Sequence, residues 1–472
     1  SYAGKNLSFT AAQNIDGSAS SMTADSLALA ATSGSIGSTS ALALAGTISE
    51  ISAQAASNIN ITKTGDLNLK TVSAGGNAAL ANTGSGNVKI SDSVSGNTVN
   101  ITSTGTIQHT GSGRAVNASG DITLNSAGTI SGADASSNFN VNSTNGKVNI
   151  TSGGAVKLGT SGSDTVKLGN ISVSGSDFDY SGNDVKIDGN ITADNVNFTN
   201  INSFTQNANT TVTASTGNIV VDTVGNAILN GLLQATSGNV KVNASNITSN
   251  SSNAITASTI ELVAANSIGS EYSALNFTAT GSVNAQSGTG MNLNSASAVT
   301  FGDLLNTSSG NIKVSTGGNA QFAKVTNTNG NITISSTGSA ALSDKVQGVD
   351  VTFNTGDIIA SNANSLISGT NINLTSSGSV GSSSGAVAVE SANGINAAAN
   401  NGSIYLAGAG ATKFNNVSAK NAVELSTKAG NLETTGAISG GTVKITSAAD
   451  TVVNSPVKST GATEIISAGD LT

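Results

Sequence analysis

This 472-residue chain has no cysteine, no tryptophan, one proline (Pro456), one histidine (His109) and one arginine (Arg114). Without thiols it can form no disulfide that would trap it while unfolded in an oxidising compartment. One histidine excludes metal centres built on several imidazoles, and any Ser-His-Asp relay would have to pass through His109. Aromatic residues at 3% are too few to fill the two to four compact cores that this length would otherwise suggest. Charged residues make up 9% and the net charge is -8, with lysines occurring singly. No basic stripe is available for nucleic acid or anionic lipid. No apolar run approaches the roughly 18 residues of a membrane span. The opening Ser1-Tyr2-Ala3-Gly4-Lys5 is no signal peptide, so the chain is expected to be processed or part of a longer one.

What is present is Gly, Ser, Thr, Asn and Ala. Such composition commonly means disorder, yet proline, glutamate and lysine are scarce and the apolar residues recur periodically. One phrase returns along the chain: glycine, a small polar residue, then apolar–polar–apolar. It reads Gly86-Asn87-Val88-Lys89-Ile90, Gly217-Asn218-Ile219-Val220-Val221, Gly238-Asn239-Val240-Lys241-Val242, Gly310-Asn311-Ile312-Lys313-Val314 and Gly330-Asn331-Ile332-Thr333-Ile334. Variants are Gly65-Asp66-Leu67-Asn68-Leu69, Gly120-Asp121-Ile122-Thr123-Leu124, Gly146-Lys147-Val148-Asn149-Ile150 and Gly402-Ser403-Ile404-Tyr405-Leu406. Gly65 and Gly86, like Gly217 and Gly238, lie 21 residues apart, and Gly310 and Gly330 lie 20 apart.

The alternation turns Val88 and Ile90 to one face and Lys89 to the other, the signature of a half-buried strand. Weaker apolar pairs midway, such as Ala320 and Phe322, place two or more strands in each period. Glycine or asparagine before a strand suits a sharp corner with φ > 0, and stacked asparagines would bond along the axis. No segment sustains a helical period. The prediction is an all-β, right-handed parallel β-helix (β-solenoid) with about 20–21 residues per coil, continuous over residues 1–472. About 22 coils at ~4.8 Å each make an elongated rod of roughly 100 Å. A single coil buries too little to fold alone, so neighbours must close its edges. Neither end reads as a cap, which predicts a longer natural chain or rods meeting end to end.

The Gly-Asn-Ile-x-Ile phrasing, the Ser/Thr/Asn/Gly/Ala bias and the lack of cysteine resemble the repeat shaft of filamentous-haemagglutinin-like, high-molecular-weight adhesin-type exoproteins of two-partner secretion. The resemblance covers most of the chain. It departs from the family in lacking an Asn-Pro-Asn-Gly-type motif, which leaves the export route open. It implies an extracellular or cell-surface location, export through an outer-membrane transporter and a non-catalytic adhesin shaft. The partners implied are glycans, extracellular matrix or other cell surfaces. Some relatives are glycosylated at Asn-x-Ser/Thr, and such triplets abound here, as at Asn60, Asn100, Asn190, Asn331 and Asn373. The alternatives are a self-associating surface filament or layer and, more remotely, a polysaccharide-active enzyme using paired carboxylates.

Two local features stand out. Asp177-Phe178-Asp179-Tyr180-Ser181-Gly182-Asn183-Asp184-Val185-Lys186-Ile187-Asp188 is the densest acidic stretch. Its Asp-x-Asp-x-Ser-Gly opening partly echoes a calcium loop, making Asp177, Asp179 and Asp184 candidate Ca2+ ligands, the one cofactor suggested. Asp184 sits where such loops place an apolar residue, and Val185 and Ile187 read better as the next strand. The second feature is aromatic: Phe178, Tyr180, Phe198 and Phe204 cluster in a chain poor in rings. They either fill a locally wider core or cap a rung, or they form a carbohydrate-stacking patch or a contact to another rod, with Phe178 and Tyr180 as the ligand-contact candidates. Thr211-Val212-Thr213 is a lone triplet of the kind found on ice-binding faces.

Overall fold

The computed structural model describes residues 2–17, 20–134, 137–160 and 165–472. The described chain is a parallel β-solenoid of 51 strands and about 22 turns, with no helix. It divides into two compact units, Ser1–Ala244 and Ser245–Thr472.

In the first unit one inward row runs Leu67, Val88, Ile107, Ile130, Val156, Phe178, Val196, Ile219, Val240, each paired in parallel with the next. Every member is at 0% exposure. In the second unit one inward row is Ile247, Ile268, Met291, Ile312, Ile332, Val351, Ile372, Ile395 and Phe414. The step is less regular than the phrase suggests, 18 residues from Phe178 to Val196 but 26 from Ile130 to Val156. The row keeps its pairing across these unequal steps. A one-residue slip would turn every inward side chain to solvent.

Each coil has three strand segments. In the second unit the segment after Ile312–Thr316 is a single strand, Ala320–Asn327, that turns a corner part-way. Its Ala320–Phe322 part pairs with Ala340–Leu342, and Val325 pairs with Val346 on another strand. No glycine or proline marks that bend, because the alternation shifts phase there: Phe322 and Val325 both face inward, three residues apart.

The corners are stitched by asparagine. The Oδ1 of each corner residue accepts the backbone N–H of its equivalent one coil on: Asn149 from Asn170 at 3.0 Å, Asn170 from Asn190 at 3.0 Å and Asn190 from Thr211 at 2.9 Å. Asn311 likewise accepts from Asn331 at 3.0 Å, and Asn331 from Asp350 at 3.1 Å. Aspartate serves equally, as Asp66 accepts from Asn87 at 2.8 Å and Asp121 from Lys147 at 2.9 Å. An acceptor is all the corner needs, which explains why the phrase tolerates Asp.

The role of the preceding glycine differs from expectation. Of the nine phrase glycines only Gly65 and Gly310 have positive φ, +83° and +94°. At Gly238 and Gly330 the constraint is close stacking: a Cβ would overlap the carbonyl oxygens of Gly217 and Gly310 respectively, one coil below.

Candidate functional site

The acidic stretch folds as ordinary coil. Asp177 occupies an asparagine corner, its Oδ1 accepting the Asn195 backbone N–H at 3.1 Å and the Asn195 amide at 2.8 Å. Asn195 then accepts from Asn218 at 2.8 Å, and Asn218 from Asn239 at 2.8 Å. Asp179 points outward from the strand Phe178–Ser181, between the Lys157 ammonium at 2.7 Å and the Asn197 amide at 2.7 Å. Asp184 starts the next face and accepts the Ser203 hydroxyl at 2.7 Å. Val185 and Ile187 are buried, so Val185–Ile187 is indeed a strand.

The three candidate calcium ligands are therefore not brought together, and among the described residues no three His, Asp or Glu side chains gather as a metal would require. A calcium loop must curl to aim its oxygens at one point, whereas this backbone is extended and each carboxylate already serves a neighbouring coil. The signal was present in the sequence: Asp177-Phe178-Asp179-Tyr180 is the corner phrase with Asp for Asn.

Phe178 and Tyr180 must also be reassigned. Both are at 0% exposure, so neither offers a face to a ligand. They fill the core with Phe198 and Phe204, at centroid separations of 6.0 Å for Phe178–Phe198, 6.3 Å for Tyr180–Phe198 and 5.0 Å for Phe198–Phe204. His109 is buried too, with Nε2 at 2.9 Å from the Asp92 carbonyl and its ring edge-on to Phe139. Thr211 and Thr213 flank the buried Val212, but their partners one coil on are Leu232 and Gln234, so the threonine pair is not repeated.

The structure also reveals a feature that the phrase did not signal. Three times a coil leaves its phase at a short [Ile/Val]-Gly-Ser sequence: Ile36-Gly37-Ser38, Ile268-Gly269-Ser270 and Val380-Gly381-Ser382. The three glycines have φ of +69°, +67° and +69°. Each donates its N–H over 2.8 Å to the coil below, to Ile15, Ile247 and Ile358 in turn. Beyond each glycine a loop projects outward before the chain rejoins the coil at Leu42, Leu275 or Val387. Loops 38–41 and 382–386 contain only Ser, Thr, Gly and Ala, whereas loop 270–274 reads Ser-Glu-Tyr-Ser-Ala.

Ser270 and Glu271 of loop 270–274 border a surface depression of about 210 Å³. Gly269, Gly290 and Gly310, on three successive coils, line it, and a Cβ on each would meet neighbouring backbone, at the carbonyl oxygens of Asn292, Asn311 and Thr289 in turn. Asn292 and Lys313 lie beside the loop. The Asn292 amide donates to the Ser270 carbonyl at 2.8 Å, and the Lys313 ammonium lies 3.5 Å from the Glu271 carbonyl. Tyr272, next to Glu271, is 94% exposed. A second depression, about 340 Å³, is bordered by Glu261 and Asp303, both exposed.

The fold and its corners define a parallel β-solenoid repeat protein. No protein-family model matches the chain, and no curated protein or solved structure matches it either.

Proposed function

We propose that this chain is a non-catalytic shaft of an extracellular or cell-surface adhesin, mediating attachment to glycans, extracellular matrix or other cells. The observation that carries the reading is the division of labour within the coil. Inward positions are mostly apolar and stack in rows, corner asparagines and aspartates tie coil to coil, and outward positions are mostly polar. Such a fold extends by adding coils without redesign, which suits a protein whose task is to present surface. The resemblance in repeat phrasing to filamentous-haemagglutinin-like exoproteins supports the same reading and suggests an outer-membrane transporter as export partner. Beads coated with the purified chain should adhere to epithelial monolayers or matrix proteins above an albumin-coated control. Adhesion no greater than the control would refute the proposal. Electron microscopy of the same material tests the surface-polymer alternative, which requires continuous filaments or lattices. Glu261 and Asp303 border one depression, and release of reducing ends from polysaccharides would favour the enzyme alternative.

A further inference from the structure

We infer that Lys63 and Asn82 join in a self-catalysed isopeptide bond that ties two successive coils of the first unit together. This goes beyond the adhesin reading and does not depend on it.

Lys63 and Asn82 pair in register on the adjacent parallel strands Ile59–Thr64 and Ala78–Thr83, and both are buried at inward positions. Equivalent residues on such strands lie about 4.8 Å apart, so amine and amide are neighbours in one row. Leu44 fills the same position one coil earlier, so folding does not require a lysine there. Among the described residues Lys63 is the one buried lysine. Asn82 is also set apart. The buried amides of Asn306 and Asn327 donate to the Ser309 and Asn331 carbonyls, both at 2.9 Å, whereas Asn82 Nδ2 meets no acceptor. A buried donor left unbound is costly, and expelling that nitrogen removes the cost.

The surrounding groups supply the chemistry. Burial pushes the Lys63 ammonium toward its neutral, nucleophilic form. The Thr104 backbone N–H donates to Asn82 Oδ1 at 2.9 Å, which polarises the amide carbonyl and holds the oxyanion. Asp66 is close enough to act on the Lys63 charge, and with its Oδ1 on the Asn87 N–H its other oxygen is left to relay a proton. The neutral Nζ attacks Asn82 Cγ, and Asp66 carries a proton from Nζ to Nδ2. The Cγ–Nδ2 bond then breaks and ammonia leaves. One amide now links the two side chains, and no oxidant or co-reactant is consumed. The bond uses up the amine, so any titration of Lys63 belongs to unreacted chain.

The test is mass spectrometry of the whole folded chain after incubation at mildly alkaline pH. Wild type should be lighter than its sequence by one ammonia, and its digest should contain a branched peptide joining Lys63 to Asn82. Lys63→Met and Asn82→Ala should keep their sequence masses. Circular dichroism of Lys63→Met should match wild type, since Leu44 already places an apolar side chain in that row. Wild type held unfolded in urea should not react, because the pair meets only when the coils stack. A wild-type mass equal to that of the sequence would overturn the inference. So would ammonia loss without the branched peptide, the sign of a succinimide at an Asn-Gly step, or full loss persisting in Lys63→Met.

Discussion

Residues 177–188 and residues 269–274 invert the usual relation between conspicuous sequence and exposed chemistry. The first segment concentrates acid and aromatic residues, yet its rings are buried and its carboxylates bind neighbouring coils. The second is short and compositionally plain, yet it leaves the coil and exposes a tyrosine. In a solenoid, phase decides availability. A residue that keeps the repeat is claimed by the coils above and below, and one that breaks it is free for other tasks.

The sharpest way to break this comparison is to truncate one ring in each segment. Phe198→Ala should cost roughly 3–5 kcal/mol by leaving a cavity among Phe178, Tyr180 and Phe204. Tyr272→Ala should stay within about 0.5 kcal/mol of wild type. Urea denaturation followed by circular dichroism measures both, and comparable losses would refute the contrast. Next in size is Gly238→Ala, whose methyl would collide with the Gly217 carbonyl and should cost about 1–3 kcal/mol. A neutral result there would show that the coils are not held at close stacking.

Asp177 sharpens the comparison at its acidic end. Asp177→Ala should lose about 1 kcal/mol with the acceptor for the Asn195 N–H, while Asp177→Asn keeps that acceptor and should be nearly neutral. Neither EDTA nor millimolar calcium should move the thermal midpoint. A rise of several degrees with calcium, abolished in Asp177→Asn, would restore the metal site.

The smallest effect concerns Lys63, an in-phase residue that is buried in the first unit with its ammonium 3.2 Å from the Thr64 carbonyl. Burial pushes its pKa down from the ordinary 10.5, with Asp66 opposing. Because the folded value is the lower one, the fold releases this proton before the unfolded chain does. Its contribution to stability should therefore rise with pH from the folded pKa up to about 10.5 and then level off. Lys63→Met should remove that alkaline rise, which denaturation midpoints at several pH values would detect.

Much of the fold was legible because the phrase is a direct record of the coil. Ile312, Ile332 and their counterparts stand in one row as their spacing implied, and strand direction follows from stacking. The corner inside Ala320–Asn327 was not legible, since a phase shift between Phe322 and Val325 needs no turn residue. The glycine at each phrase was correctly located but given the wrong cause at most positions, because close approach to the coil below depends on a residue 20 or so positions away. The site was legible only in negative form. His109 could be set aside from sequence, but Tyr272 could not be found without knowing which loops leave the coil.

Sequence alone determined the repeat, the inward rows and the exclusion of thiol chemistry, because alternation and composition are local properties that survive without coordinates. Only tertiary structure decided which conspicuous residues were already engaged. Whether Asp177 meets a cation or Asn195, and whether a tyrosine is core or surface, depends on what the adjacent coil places 4.8 Å away.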